Sequence, residues 1–241
     1  MTVPRLHLPE RLSAGRVVAV ATGRAHYLGH VLRLREGAAV HVFNADDGEW
    51  RSGVASLGRR EVTLRIDALV RAPAPEPGPT LVFAPVKRNR LEWLVEKAVE
   101  LGVARLIPVI TQRTVAKPER ADRLEAIAVE AAEQCERLTV PALDAPRALG
   151  DWLAARGRAP AVLFADERGG ALPVAEALRQ EPEAELLVGP EGGFAPDERE
   201  RLLAAPGVRP VSLGRCILRA ETAALYALVC WQVTRSGRPG R

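Results

Sequence analysis

The chain has 241 residues, 47% of them hydrophobic and 4% aromatic, with a formal net charge of +4, a composition suited to one large globular domain or two modest ones. No window reaches the roughly 18 to 20 uninterrupted apolar residues of a membrane span, and the opening MTVPRLHLPERL lacks a signal peptide's apolar core, so a cytoplasmic protein with no membrane partner is expected. The cysteines Cys135, Cys216 and Cys230 are widely spaced and form no CxxC pair, which argues against a disulfide framework and a thiolate metal site.

The first third reads as β structure. RVVAV, AAVHVF, EWRSGVASL and EVTLRIDALV are short runs separated by turn signals at Asn44 to Gly48 and Gly58 to Arg60, the pattern of a small β-barrel. Between the first two, HYLGHVLRLREG is a basic segment, helical or irregular. In it His26 and His30 stand one helical turn apart, with no third ligand spaced nearby and no HExxH, so no metal is expected. RAPAPEPGPT follows, and its prolines at 73, 75, 77 and 79 forbid helix and disfavour a central strand. This gives boundaries of 1–71 for the barrel, 72–80 for a stiff linker and 81–241 for a second domain.

Beyond the linker, strands and helices alternate. TLVFAPV is followed by the helical NRLEWLVEKAVELG, with Leu91, Leu94, Val95, Ala98 and Leu101 on one face and Gly102 as its stop. ARLIPVI precedes the helix PERADRLEAIAVEAAEQCERL, with Pro118 in its first turn and Leu124, Ile127, Ala128, Ala131 and Cys135 along one side. Strand AVLFAD, helix VAEALRQ, strand ELLVG, helix PDERERLLAA, strand VRPVSL and the apolar helix ETAALYALVCWQV complete an α/β domain with a mostly parallel sheet covered on both faces.

Ligands of open α/β sheets sit beyond the carboxyl ends of strands, which directs attention to ADERGGAL, GPEGGFAPDE and GRCILRAET. Glycines before a helix suggest a phosphate cradle, but Phe194 and Ala195 stand where a P-loop needs Lys and Ser or Thr, and GxGxxG spacing is absent. Glu191 would also repel a phosphate by roughly 4 kcal/mol at about 4 Å and an effective dielectric near 20. A neutral or cationic ligand fits better, and a plain tight turn with Pro196 and Asp197 opening the next helix remains the bland alternative. A nucleotide-dependent α/β enzyme is correspondingly disfavoured.

The basic residues are arginine except for Lys87, Lys97 and Lys117, and arginine's planar fork suits phosphates and base edges, although coding bias produces the same composition. Lys87, Arg88 and Arg90 sit at a helix N-terminus, where positive charge opposes the macrodipole at about 0.3 to 1 kcal/mol each. Phosphate binding is the functional reading of that turn, a solvated basic turn the other.

LVGPEGGF, SLGRCILRAETA and KRNRLEWLVEKAVELGV together resemble the RsmE family, small-subunit ribosomal RNA uridine-N3 methyltransferases of the SPOUT superfamily, and HYLGHVLRLREG is similar to that family's PUA-like RNA-binding domain. The resemblance spans nearly the whole chain. It implies a C-terminal SPOUT-type α/β domain with a deep trefoil knot plus a small N-terminal PUA-like β-barrel, although chains in general avoid knots. It also implies S-adenosyl-L-methionine as cofactor, a homodimer whose subunits share the site, and small-subunit ribosomal RNA, free or assembled, as substrate.

Carried over position by position, the cofactor residues are Leu187, Val188, Gly189, Pro190, Gly192 and Gly193 in one loop. The other loop supplies Leu213, Gly214, Ile217, Leu218, Glu221, Thr222 and Ala223. Arg219 matches the family's second arginine in this motif and is the expected catalytic cation beside the uridine carbonyls. Its alternative is a buried salt bridge with Glu221 or Glu191. Where the family has its first arginine this chain has Cys216, with Arg215 just ahead; Cys216 is read as a methyl-accepting nucleophile or, more simply, a buried spectator. Glu191 is the candidate base. RNA contacts are expected from Arg24, His26, His30, Arg33, Lys87, Arg88, Arg90, Gln134 and Arg137. A catalytically silent RNA-binding or ribosome-assembly protein with a vestigial cofactor pocket is the competing reading.

Overall fold

The computed structural model describes residues 3–58, 61–116, 119–157, 160–168 and 170–236; Pro118, Arg59, Arg60 and Gly169 lie outside it, as do the side chains of 21, 22, 26, 30 and 236. The chain divides into two compact units, one of residues 1–76 with 132–140, the other of 77–131 with 141–241.

The first unit holds β1 (Arg5–His7), β2 (Val17–Ala21), α1 (Thr22–His26) running into a single π-helical turn (Tyr27–Val31), β3 (Ala39–Asn44), β4 (Gly48–Leu57) and β5 (Glu61–Arg71). The strands form one sheet in the order β1-β3-β4-β5-β2, antiparallel except for the β1–β3 pair. Alternation along the strands produces its core: Leu6, Val18, Val20, Val40, Val42, Val54, Val62, Leu64 and Ile66 come from all five strands into one buried cluster, which Ala25 and Leu28 join. Register shifts between β4 and β5 at Glu49/Trp50, Arg51/Ser52 and Val54/Ser56 mark bulges, which increase local twist and curl a sheet.

The second unit contains β6 (Thr80–Phe83), α2 (Arg88–Glu100), β7 (Arg105–Ile110), α3 (Ala121–Gln134), β8 (Ala142–Leu143), β9 (Arg147–Ala148), α4 (Leu149–Ala155) and β10 (Val162–Ala165). It continues with β11 (Leu172–Pro173), α5 (Val174–Gln180), β12 (Glu185–Val188), α6 (Pro196–Ala204), β13 (Val208–Ser212) and α7 (Ala220–Ser236). Its sheet runs β11-β13-β10-β12-β6-β7-β8, with β9 pairing the far end of β7, and every pair is parallel. The central strands β6, β7, β10 and β12 are nearly continuous buried apolar runs, as expected where both faces are covered. Leu91, Leu94, Val95, Ala98 and Val99 are the buried face of α2, while Leu101, expected there, is the half-buried cap residue.

Two further departures from the sequence reading have identifiable causes. The helix expected over 118–138 is α3, which ends at Gln134, and Glu136 takes a left-handed φ of 61° that no helix continues through. Arg5 accounts for that termination. Its five N–H donors are all used: Nε to Glu49 Oε1 at 2.9 Å, Nη2 to Glu49 Oε2 at 3.3 Å and the Arg137 carbonyl at 3.1 Å, and Nη1 to the Ala132 and Glu133 carbonyls at 3.0 Å each. A cation on the orphan carbonyls at a helix C-terminus is favoured by both hydrogen bonding and the helix dipole. The second departure is the segment 139–157, where the alternation rule registers nothing because β8 and β9 are two residues each.

The proline-rich segment is anchored as well. Glu76 accepts hydrogen bonds from the N–H groups of Leu138 (3.0 Å) and Thr139 (3.0 Å) and from Thr139 Oγ1 (2.7 Å). Burial pushes the Glu49 and Glu76 carboxyls up, but their hydrogen bonds and neighbouring arginines outweigh it and hold both below the usual 4.5. Both therefore contribute stability above about pH 4.5 that is lost as the pH falls through their folded values.

Arg5 and Glu49 each have only 8% of the side chain exposed; removing Arg5 leaves Glu49 with only Arg71 (3.0 Å) and His41 (3.1 Å), and leaves the Ala132, Glu133 and Arg137 carbonyls without their donor. Arg5→Ala is expected to cost about 3 kcal/mol in urea denaturation; a cost below about 1 kcal/mol would mean that segment 132–140 is held by something else.

Candidate functional site

Strands β13, β10 and β12 are neighbours and parallel, so the loops that follow them emerge side by side. Together they wall one open cleft of about 980 Å³, open solvent included. The loop after β12 contributes Val188, Gly189, Pro190, Glu191, Gly193 and Phe194. The loop after β13 contributes Leu213, Gly214, Arg215, Cys216, Ile217 and Leu218, followed by Ala220 and Ala223 of α7. Asp166, Glu167 and Arg168 come from the loop after β10, Arg113 from the loop after β7, and Arg199 from α6.

Glycine is required at three points of the cleft, Gly189, Gly193 and Gly214, the last with φ +107°. A Cβ on Gly189 would lie 3.0 Å from the ring of Phe194, which is 8% exposed and meets Phe164 edge-on at 6.0 Å beneath the loop. Gly193 has φ +67°, the left-handed region, and a Cβ there would also stand 3.1 Å from Glu167 Oε1. The cleft thus has a rigid aromatic base under a thin backbone floor, and its apolar wall is Leu213, Ile217 and Leu218, with Ile217 84% exposed.

Three carboxylates and four arginines surround this wall. Asp166 is engaged: Arg199 Nη2 lies 2.6 Å and Nε 3.0 Å from its Oδ2, and this hydrogen-bonded charge raises the Arg199 pKa above its already high value. Glu167, Glu191, Arg168 and Arg215 make no ion pair among the described residues, which leaves charges of both signs available to a ligand. Arg113 donates from Nη1 to the Gly192 carbonyl at 2.7 Å.

Of the cofactor residues expected from sequence, Val188, Gly189, Pro190, Gly193, Leu213, Gly214, Ile217, Leu218 and Ala223 lie on the cleft. Leu187 is fully buried in the core with Phe164 and Phe194 below it, Gly192 contributes its carbonyl to Arg113, and Thr222 is exposed outside the cleft. Glu221 is buried on α7; its Oε1 is 3.5 Å from Arg90 Nε and its Oε2 has no hydrogen-bond partner. The buried salt bridge considered for Arg219 is therefore not formed. Arg219 is exposed, between cleft residues Leu218 and Ala220, and makes no ion pair among the described residues. Cys216 is not a buried spectator: it is exposed on the cleft.

The residues expected to face RNA divide. Arg33, Lys87, Arg88 and Gln134 are exposed, with Arg88 near Glu92 (3.2 Å) and Glu119 (3.3 Å) in ion pairs weakened by solvent. Arg24 donates to the His7 carbonyl and is 3.8 Å from Glu133. Arg137, its side chain 10% exposed, is committed to Thr139 Oγ1 (2.8 Å) and Glu76 (3.6 Å), and Arg90 to Glu221. The His26 and His30 side chains lie outside the described residues. No cluster of three or more metal-ligating side chains occurs among the described residues. No helix among them is long and apolar enough to cross a membrane. Sequence reading missed Arg113, Asp166, Glu167, Arg168 and Arg199; ADERGGAL was the available signal for three of them, whereas Arg113 and Arg199 have no local motif.

Residues 75–232 match the model of the RNA methyltransferase domain and residues 21–67 that of the RNA methyltransferase PUA domain. A ribosomal RNA small subunit methyltransferase E of Rickettsia conorii is 31% identical, covering 95% of this chain and 94% of its own, and that of a Synechocystis species is 34% identical over 88% and 71%. The crystal structure of the Neisseria gonorrhoeae enzyme of that name, bound to S-adenosyl methionine, superposes with a TM-score of 0.87 at 28% identity, covering 96% of this chain and 98% of that one.

Adding a methyl group at a left-handed glycine costs roughly 1 to 2 kcal/mol. Gly193→Ala should lose about that much stability in urea denaturation, while Gly150→Ala, with no atom near its would-be Cβ and no positive φ, should be neutral or slightly stabilising. Equal effects at the two positions would contradict the loop conformation.

Proposed function

Because the chain belongs to the ribosomal RNA small subunit methyltransferase E family, we propose that it methylates N3 of a uridine in small-subunit ribosomal RNA with S-adenosylmethionine as donor. The observation that carries this reading is the cleft at the ends of β10, β12 and β13. It joins an apolar wall for an adenine, close backbone approach at Gly189 and Gly193, and the uncommitted carboxylates Glu167 and Glu191 for a cationic ligand. Val188, Gly189, Leu213, Ile217 and Leu218 would hold the adenosine portion, and Glu191 or Glu167 would face the positive end. When bound, the donor supplies an electrophilic methyl group on a sulfonium.

Uridine N3 carries a proton between two carbonyls and must lose it before attack. Arg219, exposed beside the cleft and unpaired among the described residues, can donate to O2 or O4 and stabilise the charge that develops there, a kind of preorganised interaction that often dominates a rate enhancement. Glu191 is the group on the cleft we assign as proton acceptor. The new N3–C bond forms as the sulfur–methyl bond breaks, with no need for covalent attack by Cys216. Arg24, Arg33, Lys87 and Arg88 are the cations we assign to RNA phosphates; Arg90 and Arg137 are held by carboxylates within the protein and have the weaker claim. The trefoil knot implied by the family belongs to the same reading, as does action in the cytoplasm.

A homodimer is also part of this proposal. Tyr226, Val229 and Val233 are 44%, 42% and 66% exposed and recur at helical spacing along α7 as an apolar stripe, and α2, which packs against α7, exposes Trp93. A second copy of this chain is the occupant the family resemblance specifies. Val229→Glu should shift the protein, in sedimentation equilibrium, from twice the 26.0 kDa chain mass to the chain mass itself; a wild type already at the chain mass would remove the dimer from the account.

Isothermal titration tests the donor: binding of S-adenosylmethionine or its demethylated product is expected, and binding of ATP with neither of these would overturn the reading. For the catalytic assignment, Arg219→Ala should lower turnover by about 100-fold or more with cofactor affinity kept; unchanged turnover would refute it.

A further inference from the structure

Glu198, in the first turn of α6, is a carboxylate with 6% exposure and no countercharge beside it among the described residues. A buried carboxylate is tolerated when strong hydrogen bonds satisfy it. Its Oε2 accepts the Ala195 N–H at 3.0 Å, an ordinary capping interaction. The other oxygen leaves the helix altogether: Oε1 accepts the Gln112 N–H at 2.8 Å, from a residue 86 positions earlier. Helix capping does not explain that second bond.

Gln112 belongs to a closed turn. Thr111 N–H donates to Thr114 Oγ1 at 2.9 Å and Thr114 N–H to the Thr111 carbonyl at 3.1 Å, with Thr111 5% exposed. Two exposed contacts run parallel to the Glu198 clamp, Gln112 Nε2 to Asp197 Oδ2 at 2.6 Å and Arg113 Nη1 to the Gly192 carbonyl at 2.7 Å. Solvent competes with both, whereas the Ala195 bond to Glu198 is buried and the Gln112 bond partly so, with the carboxylate itself 6% exposed.

We propose that Glu198 is a positioning residue for methyl transfer: by clamping the turn after β7 to the end of the glycine loop, it holds Gly189 to Ala195 in the shape that receives the cofactor. The proposal rests on the methyl-donor reading above. Glu198 touches no ligand in this scheme; it acts through the Ala195 and Gln112 amides. Glu198→Gln retains size and shape but presents an NH₂ group to one of two N–H donors, opening one side of the clamp.

The test compares wild type, Glu198→Gln and Glu200→Gln, the last an exposed carboxylate on the same helix. For Glu198→Gln, the Kd and KM for S-adenosylmethionine should rise about tenfold or more, with kcat at saturating cofactor and KM for RNA retained; Glu200→Gln should match wild type. A lowered melting temperature with unchanged cofactor affinity would reduce Glu198 to a structural residue and overturn the proposal. Wild type failing to bind S-adenosylmethionine would instead overturn the donor reading, and this inference with it. Amide hydrogen exchange on the ligand-free wild type gives a readout that needs no variant. Gln112 and Ala195 should be protected, and exchange of either at the rate of an unstructured amide would contradict the clamp.

Discussion

A parallel sheet brings the carboxyl ends of its strands to one edge, and that constraint organises this molecule's chemistry. Because β10 lies between β12 and β13, loops beginning at residues 166, 189 and 213 open beside one another although they are distant in sequence. The sheet itself needs both faces covered, which the fully buried Leu81, Val82, Leu163, Phe164, Leu186 and Leu187 express. Phe194 connects this core to the cleft: its ring lies against Gly189 above and Phe164 below, so the glycine loop rests on packed aromatic carbon rather than on water.

Charge divides along the same line. In the interior, arginines and carboxylates are saturated by one another or by backbone: Arg5 uses all five donors, Glu76 accepts from residues 138 and 139, and Glu198 binds two amides from separate loops. Around the cleft, Glu167, Glu191, Arg168, Arg215 and Arg219 are left without ion-pair partners among the described residues. Saturated charges fix structure, and uncommitted ones are free for a ligand with a sulfonium, an amino-acid tail and an RNA target. Glu221 departs from the division, buried with one oxygen 3.5 Å from Arg90 and the other unsatisfied.

Much of this was legible in the sequence, for identifiable reasons. The switch from alternating β runs to strand–helix repeats at the proline-rich segment marked the two kinds of structure, and Leu91, Leu94, Val95 and Ala98 lie on the buried face that their spacing predicts. LVGPEGGF and SLGRCILRAETA met at one cleft because each follows a strand. Other features left no local signal. The chain reads as helix on to residue 138, and nothing local signals that Arg5, from the far end of the sequence, binds the carbonyls of 132, 133 and 137 where the helix ends, or that Glu76 holds the Leu138 and Thr139 amides. The exposure of Cys216 and Arg219 depends on where their loop runs, which periodicity does not encode. Glu198 looks like any first-turn glutamate; its second bond, to Gln112, exists only in the folded chain.

The central claim is that the β10–β12–β13 cleft directs a methyl group to uridine N3. The most direct measurement transfers labelled methyl from S-adenosylmethionine to small-subunit ribosomal RNA that has never carried the modification, followed by nucleoside analysis of the product. The account predicts label in N3-methyluridine at a single position; label on another atom or base, or none on free RNA and assembled subunits alike, would contradict it.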